Sequence, residues 1–302
     1  EGTGLIEEGV ACDFAGRYPS RIQPFTPGSC MQVSMPPETA LPSEFTVVVM
    51  IWPTRPKGGP QAVLSIESNG SSTPFILYLD AVGRPTVKIR MSDENWTECC
   101  LPDAVIERRW ARLWASFSQP LGELNIGISQ GEINDSVTTT FMGSTVLSDQ
   151  KINSIVVAAC DQDERHMHFN GKIERPTIYS AQLGSGMLLD STEATTAPIF
   201  ACWDFCKEFS STRVIDTGVN QLHGTLVNYP ARAMTGANWD GSEMCWRHAP
   251  QHYGAIHFHE DDIYDFEWET DFSFTVPKDL RSGVYGIRLK HGKHHDTIPL
   301  FV

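Results

Sequence analysis

Short runs of β-branched and aromatic residues recur along this chain at intervals of about ten to fifteen residues. The clearest run is Phe45–Trp52 (FTVVVMIW), which is apolar on both faces and ends at Pro53, as expected of a buried central strand. Clusters of Gly, Pro, Asn and Asp separate the runs. This rhythm predicts an all-β sandwich. Further strands are predicted at Met31–Met35, Ala62–Glu67, Phe75–Leu79, Thr86–Met91, Arg112–Phe117, Glu123–Ile128, Val137–Met142, Ser154–Ala158, Ile173–Tyr179 and His223–Asn228.

Helical periodicity is almost absent. The one helix-like segment is short, around Gly184 to Asp190, and a 3.6-residue apolar period never persists over three turns. A parallel α/β fold is therefore not expected. No apolar run approaches the ~20 residues of a membrane helix.

The charge and the cysteine pattern argue against two kinds of protein, nucleic-acid-binding proteins and zinc ribbons. The net charge is −14, which disfavours nucleic-acid binding because phosphate recognition needs clustered Lys and Arg. The eight cysteines include no CxxC pair, so a zinc ribbon is not predicted. They are interpreted as reduced thiols in a cytoplasmic protein, with a secreted disulfide protein as the alternative.

The organisation along the chain suggests two β domains after a lead-in. Residues 1–27 form an irregular lead-in, residues 28–265 a first sandwich, and residues 266–302 part of a second. The second part is predicted to contain strands at Phe272–Val276, Val284–Leu289 and Thr297–Val302, which are too few to stand alone. The chain lacks both an initiator Met and a signal peptide. It is expected to have been processed or cut from something longer.

The alternating run Ala255–His259 suggests a metal site. His257, His259 and Asp261 would share one face of a strand, and two imidazoles with a carboxylate can bind zinc or iron. Neighbours on such a face diverge by ~7 Å, too far for one ion without a bend. The favoured interpretation is a domain interface or a set of buried hydrogen bonds, with metal binding as the alternative.

The acidic residues that follow suggest two further sites. Glu260, Asp261, Asp262 and Asp265 could bind calcium, but the EF-hand spacing is absent and a solvated acidic turn is the favoured interpretation. Glu267 and Glu269 flank Trp268 and could act as a glycosidase carboxylate pair, but such pairs also arise by chance in an acidic chain.

Other candidate ligands have plainer explanations. Cys202 and Cys206 are interpreted as core thiols, and His166 and His168 as turn residues. A polar hairpin tip is predicted from His291, His294, His295 and Asp296, where the histidines could titrate near neutral pH at an interface. No Gly-rich phosphate loop, nucleophile elbow or HExxH helix is present.

Several longer motifs resemble known families. FNGKIERPTIYSAQL (169–183) resembles the closing signature of laminin-G-like sandwiches. ACWDFCKEF (201–209) and IDTGVNQLHGTLVNYP (215–230) resemble the opening of such domains, which suggests a circularly permuted order. With RYPSRIQPFTPGSCMQV, NWDGSE, YGAIHFHEDDIYD and WETDFSFTVPKDLRSGVYGIRL, they together resemble the large (beta) subunit of bacterial N,N-dimethylformamidase, from about Arg17 to Val302.

The resemblance implies a laminin-G/concanavalin-like sandwich followed by an immunoglobulin-like one. It also implies amide hydrolysis at an iron held by two tyrosines and a glutamate, in an amidotransferase-like domain expected beyond Val302. No catalytic residue of the family can be assigned to this chain, and no cofactor is expected within it.

The function expected on this basis is structural. The chain would be a non-catalytic accessory part of an amide hydrolase, packing against its own catalytic domain, a small subunit or a second protomer within an oligomer. Two alternatives remain open: a glycan-binding lectin-like module, and a stand-alone metalloenzyme that uses His257, His259 and Asp261.

Overall fold

The apolar run FTVVVMIW lies in a central strand, β2 (Glu44–Pro53), in the computed structural model of the protein. The structure describes residues 28–37, 39–68, 72–149, 151–162, 165–189, 196–260 and 272–302. These residues fall in two compact units, one formed by residues 28–260 and the other by residues 272–302. The domain boundaries predicted from the sequence stay predictions.

Strands make up nearly all the regular structure of the larger unit. They are β1 (Cys30–Ser34), β2 (Glu44–Pro53), β3 (Gln61–Ser68), β4 (Ser72–Leu79), β5 (Pro85–Arg90), β6 (Trp96–Cys100), β7 (Ala111–Ser118), β8 (Glu123–Gln130), β9 (Ile133–Thr140), β10 (Ile152–Val157), β11 (Asp161–Gln162), β12 (Arg165–His166), β13 (Gly171–Tyr179), β14 (Ile199–Asp204), β15 (Arg213–Asp216), β16 (Gly224–Val227), β17 (Ala231–Met234) and β18 (Ala255–Phe258).

Sixteen of these strands form two antiparallel sheets, and β11 and β12 pair with each other. The first has the order β6-β5-β4-β3-β10-β1-β16-β15. The second has the order β14-β13-β2-β7-β8-β9, with β18 beside β13 and β17 beside β18. The sheets are joined where β14 pairs with β15, through Trp203 opposite Asp216 and Asp204 opposite Ile215. The predicted all-β sandwich is confirmed.

The core lies between the two sheets. Phe45 of β2 meets Phe75 of β4 in the opposite sheet, with ring centroids 5.3 Å apart, and Phe117 of β7 lies at the same distance from Phe45. All three rings are buried. At the sandwich edge the Cys99 thiol of β6 donates to the Val137 carbonyl of β9 at 3.2 Å. The seven cysteines in the described part form no disulfide.

Two strands, β18 and β14, pair with different parts of the same edge of β13. Gly171–Glu174 pair with β18, whereas Thr177–Tyr179 pair with β14. A bulge separates the two segments, with Arg175 at a positive φ of 46°. Proline is tolerated at such a point because no ladder hydrogen bond is required of it, and Pro176 follows directly.

Two short helices complete the larger unit. The predicted helix at residues 184–190 is observed as α2 (Ser185–Leu189). A second helix, α1 (Val146–Asp149), was not expected. A 3-10 turn, Pro250–Tyr253, precedes β18. Among the described residues, no helix has the length and apolarity needed to cross a lipid bilayer.

The described part of the smaller unit is one hairpin. It consists of β19 (Val284–His291) and β20 (His294–Phe301), in register from Val284 opposite Phe301 to His291 opposite His294. The strand predicted at Phe272–Val276 is wrong, because this segment is irregular. Its alternating pattern finds no strand to pair with in the described chain.

One buried carboxylate fixes the crossing between the sheets. Asp216 is 1% exposed, and it accepts the backbone amides of Cys202, Gly218 and Leu222, each at 2.7 Å. The Trp203 indole donates to the Leu222 carbonyl, also at 2.7 Å. The turn after β15 is therefore bound to β14.

We predict that Asp216→Ala lowers the free energy of unfolding by about 3–5 kcal/mol, because three buried amides lose their acceptor. The measurement is chemical denaturation followed by tryptophan fluorescence. Asp93→Ala is the control, since Asp93 also accepts a backbone amide, that of Asn95, but in an exposed turn. It is expected to leave the free energy of unfolding nearly unchanged, because solvent replaces the lost acceptor. Equal losses in the two variants would contradict the prediction.

Candidate functional site

A group of polar side chains around the buried Lys172 lies on the outward face of β13. Ile173 points into the core, so its neighbours Lys172 and Glu174 point outward. Lys172 is directly opposite Trp52 of β2 on one side and His257 of β18 on the other. We call Trp52, Lys172, Glu174 and His257 the outer-face cluster.

Lys172 holds the segment after β17 against the sheet. Its ammonium group donates to the Thr235 carbonyl at 2.9 Å and to the Thr235 hydroxyl at 3.0 Å. It also lies 4.5 Å from the Trp52 ring centroid and 5.1 Å from that of Trp110, distances at which aromatic faces attract cations. Burial lowers the pKa of Lys172, and the charge of Glu174 opposes that shift. These contacts hold residue 235 against the sheet.

Glu174 holds the next residues of the same loop. Its carboxylate accepts the Ala237 amide at 2.7 Å. A Cβ at Gly236 would lie only 2.7 Å from the Glu174 carboxylate, so the loop approaches closely because residue 236 is glycine. Burial raises the pKa of Glu174, while the Ala237 amide and Lys172 lower it.

Cys206 lies on the other side of the same region. A Cβ added to Gly254 would be 2.6 Å from the Cys206 sulfur and 3.3 Å from the Glu174 carboxylate. Burial, followed by the Asp204 charge, raises the pKa of the Cys206 thiol to about 12. Nucleophilic cysteines act as thiolates with lowered pKa values, so Cys206 is not suited to such a role.

The histidines predicted as metal ligands are separated by the end of the strand. β18 ends at Phe258, so His257 lies on the strand and His259 follows it. The His259 backbone is held by Ser29, whose amide donates to the His259 carbonyl at 2.9 Å. Asp261 lies outside the described residues. The metal site stays a prediction, although no cluster of three or more His, Cys, Asp or Glu suited to a metal occurs in the described ranges.

The predicted calcium and glycosidase sites fall mostly outside the described residues. Only Glu260 is described. It accepts the Asn170 side-chain amide at 3.3 Å and forms an ion pair with Arg55 at 3.6 Å. The other members of the two sites, Asp261, Asp262, Asp265, Glu267 and Glu269, all lie in the segment that the structure does not describe.

The remaining predicted ligands are dispersed. Cys202 is buried on β14, and Cys206 lies beyond the end of that strand. His168 is buried where a Cβ at Gly28 would meet its ring, and His166 belongs to β12.

The predicted polar hairpin tip is present. His291 and His294 face each other beside the turn at Gly292, whose φ is +58°. His295 and Asp296 follow on β20, and all four side chains are exposed.

Sequence reasoning missed the outer-face cluster. Strand alternation alone places Lys172 and Glu174 on the outward face of GKIERPTIY. It does not show that Thr235 and Ala237, more than 60 residues later, cover them. The available signal was two opposite charges at i and i+2 in an otherwise apolar strand.

Comparison with known proteins matches the whole chain to one enzyme. The family described as "N,N-dimethylformamidase beta subunit-like, C-terminal" matches residues 231–302. The N,N-dimethylformamidase beta subunit of Paracoccus aminophilus is 31% identical over 334 aligned residues, covering 100% of this chain and 43% of the relative. That of an Alcaligenes species is 29% identical over 332, with the same coverage.

The chain is related to the N,N-dimethylformamidase beta-subunit family. The resemblance predicted from the sequence motifs is confirmed. The chain spans less than half the length of these relatives. Among solved structures, the CBM40 domain of the Ruminococcus gnavus IT-sialidase, bound to α2,3-sialyllactose, is 18% identical with a TM-score of 0.44. That match covers 56% of this chain and 97% of the domain.

The described residues do not fit the iron site that the family resemblance implies. The Tyr253 hydroxyl donates to the Glu243 carbonyl at 2.8 Å, and Tyr285, in the smaller unit, donates to the Arg281 carbonyl at 2.7 Å. Tyr229 is 73% exposed. No step of amide hydrolysis can be derived from these side chains.

We predict that His257 makes the protein sensitive to acid. Burial, followed by the charges of His259 and Lys172, lowers the pKa of His257 below its ordinary 6.5. As the pH falls, the unfolded chain therefore takes up this proton before the folded chain does. The contribution to stability is complete above pH ~6.5 and is lost on acidification.

His257→Gln should therefore reduce the loss of unfolding free energy between pH 7.5 and pH 5, measured by urea denaturation. His248→Gln is the control, because His248 lies in the same unit with a largely exposed side chain. An unchanged pH dependence in His257→Gln would contradict the prediction.

Proposed function

We propose that this chain is a non-catalytic, structural portion of an amide hydrolase of the N,N-dimethylformamidase type. In this role it packs against a catalytic domain, a small subunit or a second protomer. The alignment of the whole chain with two beta subunits supports the proposal. The amide chemistry, with any iron it needs, would be supplied by another part of the enzyme.

The observation that carries the proposal is the apolar surface of the hairpin β19–β20. Val284 and Phe301 lie directly opposite each other and are 74% and 69% exposed. Leu289 and Ile298 are about 40% exposed and lie on the opposite face of the hairpin, because side chains alternate along each strand. Exposed apolar side chains that lie side by side, as Val284 and Phe301 do, are typical of protein interfaces. The hairpin lies in the segment that the family matches.

The outer-face cluster supports the same role. Lys172 and Glu174 hold residues 235–237 on the sandwich. These residues lie near the start of the matched segment. The sandwich therefore holds residues 235–237 in place, and the rest of the matched segment follows them along the chain.

The accessory role predicts that this chain alone has no amide hydrolase activity. The purified 302-residue chain, with ferrous or ferric iron added, should release no dimethylamine from N,N-dimethylformamide above the rate of the iron-only blank. Among the described residues no group of three or more His, Cys, Asp or Glu could hold a metal ion, and burial raises the pKa of the Cys206 thiol. Dimethylamine is quantified by chromatography. Turnover that follows the protein through purification would refute the accessory role.

The accessory role also predicts that the hairpin β19–β20 contacts the partner. In the assembled enzyme, Val284→Ser combined with Phe301→Ser should weaken association with the partner by about tenfold or more, because two apolar side chains lose their buried contact. Dissociation constants from analytical ultracentrifugation provide the measurement.

The matched control is His291→Ser combined with His294→Ser, which changes the opposite end of the same hairpin. Hydrogen exchange of β19 and β20 adds a second readout. Exchange at equal rates in the free chain and in the assembly would show that the hairpin is not the interface.

A further inference from the structure

A second feature of the larger unit has no part in the accessory role. A groove of about 420 Å³ lies on the outward face of β7, β8 and β9. Its floor consists of two cross-strand rows. In one row Ser116, Asn125 and Thr138 lie opposite one another, and in the other Trp114, Gly127 and Ser136 do. The segment 182–185 forms one wall.

The groove is preformed by packing. The Trp114 ring lies against Gly127, where any Cβ would come within 2.2 Å of it. The wall is fixed by Thr46, whose hydroxyl donates to the Ala181 carbonyl at 2.8 Å and accepts the Leu183 amide at 2.9 Å. A ligand would therefore not have to order this loop, which lowers the entropic cost of binding.

Hydrogen bonding within the groove leaves oxygen acceptors unused. Gln182 donates its side-chain amide to one carboxylate oxygen of Glu123 at 3.0 Å. Asn125 donates its amide to the Ser116 hydroxyl at 3.1 Å. The second Glu123 oxygen and the side-chain carbonyls of Asn125 and Gln182 accept no hydrogen bond from any described residue.

The available groups favour a ligand with many hydroxyl donors. Three oxygen acceptors combine with the exposed Ser136 and Thr138 hydroxyls, which can both donate and accept. No Lys or Arg lines the groove, which disfavours an anion. Trp114 is 1% exposed, so it offers no open aromatic face to an organic cation.

We propose that this groove binds a neutral saccharide, through Glu123, Asn125, Thr138 and Gln182. Its volume lies within the range of small-ligand pockets, about 300–1,000 Å³, and suits a mono- or disaccharide. The groove is open to solvent on one side, and most of its lining side chains are polar. A dissociation constant on the order of 1–10 mM is expected for a single sugar.

The test is an NMR titration of the ¹⁵N-labelled 302-residue chain with glucose, galactose, mannose, N-acetylglucosamine and maltose, each to 50 mM. The side-chain amide signals of Asn125 and Gln182 report directly on the groove. At least one sugar should shift both signals saturably. Methylammonium chloride is titrated in parallel to detect binding of a simple cation.

Two variants reduce the interaction in different ways. Asn125→Ala removes one acceptor and Thr138→Val removes one hydroxyl at constant shape, so each should weaken sugar binding about tenfold. Asn134→Ala is the matched control, because Asn134 is exposed on β9 but does not line the groove. Backbone spectra check that each variant is folded.

The titrations distinguish sugar binding in the groove from the alternatives. Saturable shifts that are weakened by Asn125→Ala or Thr138→Val, but not by Asn134→Ala, support the proposal. It is overturned if no sugar shifts these amides, if all three variants behave alike, or if methylammonium alone causes the response. None of these results bears on the accessory role, which depends on the hairpin.

Discussion

The two sheets of this sandwich depend on one buried carboxylate for their connection. β14 belongs to one sheet and β15 to the other, and Asp216 binds the turn after β15 to the amide of Cys202 on β14. A carboxylate can accept several hydrogen bonds at once, so Asp216 also satisfies the amides of Gly218 and Leu222. These backbone groups are buried, and without an acceptor each would cost free energy. A single side chain therefore fixes the place at which the chain crosses between layers.

Side chains that bond the backbone also explain the outward face of β13. Lys172 and Glu174 are the kinds of side chain that carry out acid-base chemistry when their pKa values are shifted, and both shifts are present. Here, however, the Lys172 ammonium is bonded to Thr235 and the Glu174 carboxylate to Ala237. Structural ion-pair networks also perturb pKa values. The cluster is best explained as the attachment of the segment after β17 to the sandwich.

The sequence predicted most long strands, because alternation identifies one buried face without knowledge of the partner strand. It missed β6, β14, β15 and β17, of which the last two present too few residues to show a period. It failed at Phe272–Val276, where alternation occurs without a paired neighbour. The site was less predictable than the fold. The contact between Lys172 and Thr235 joins residues 63 positions apart, and only the sheet register brings them together.

The distribution of unsatisfied groups separates structural from functional surface. In the outer-face cluster Lys172 and Glu174 are hydrogen-bonded, and the neighbouring Cys206 is kept protonated by its surroundings. In the groove beside Trp114, by contrast, three acceptors remain unused although the walls are fixed. On the hairpin, apolar side chains remain exposed. Groups that the fold has already used cannot contribute much to a ligand, because that contact would first require breaking a bond. Unused acceptors and exposed apolar area carry no such cost, which is why the two proposed binding surfaces are the groove and the hairpin.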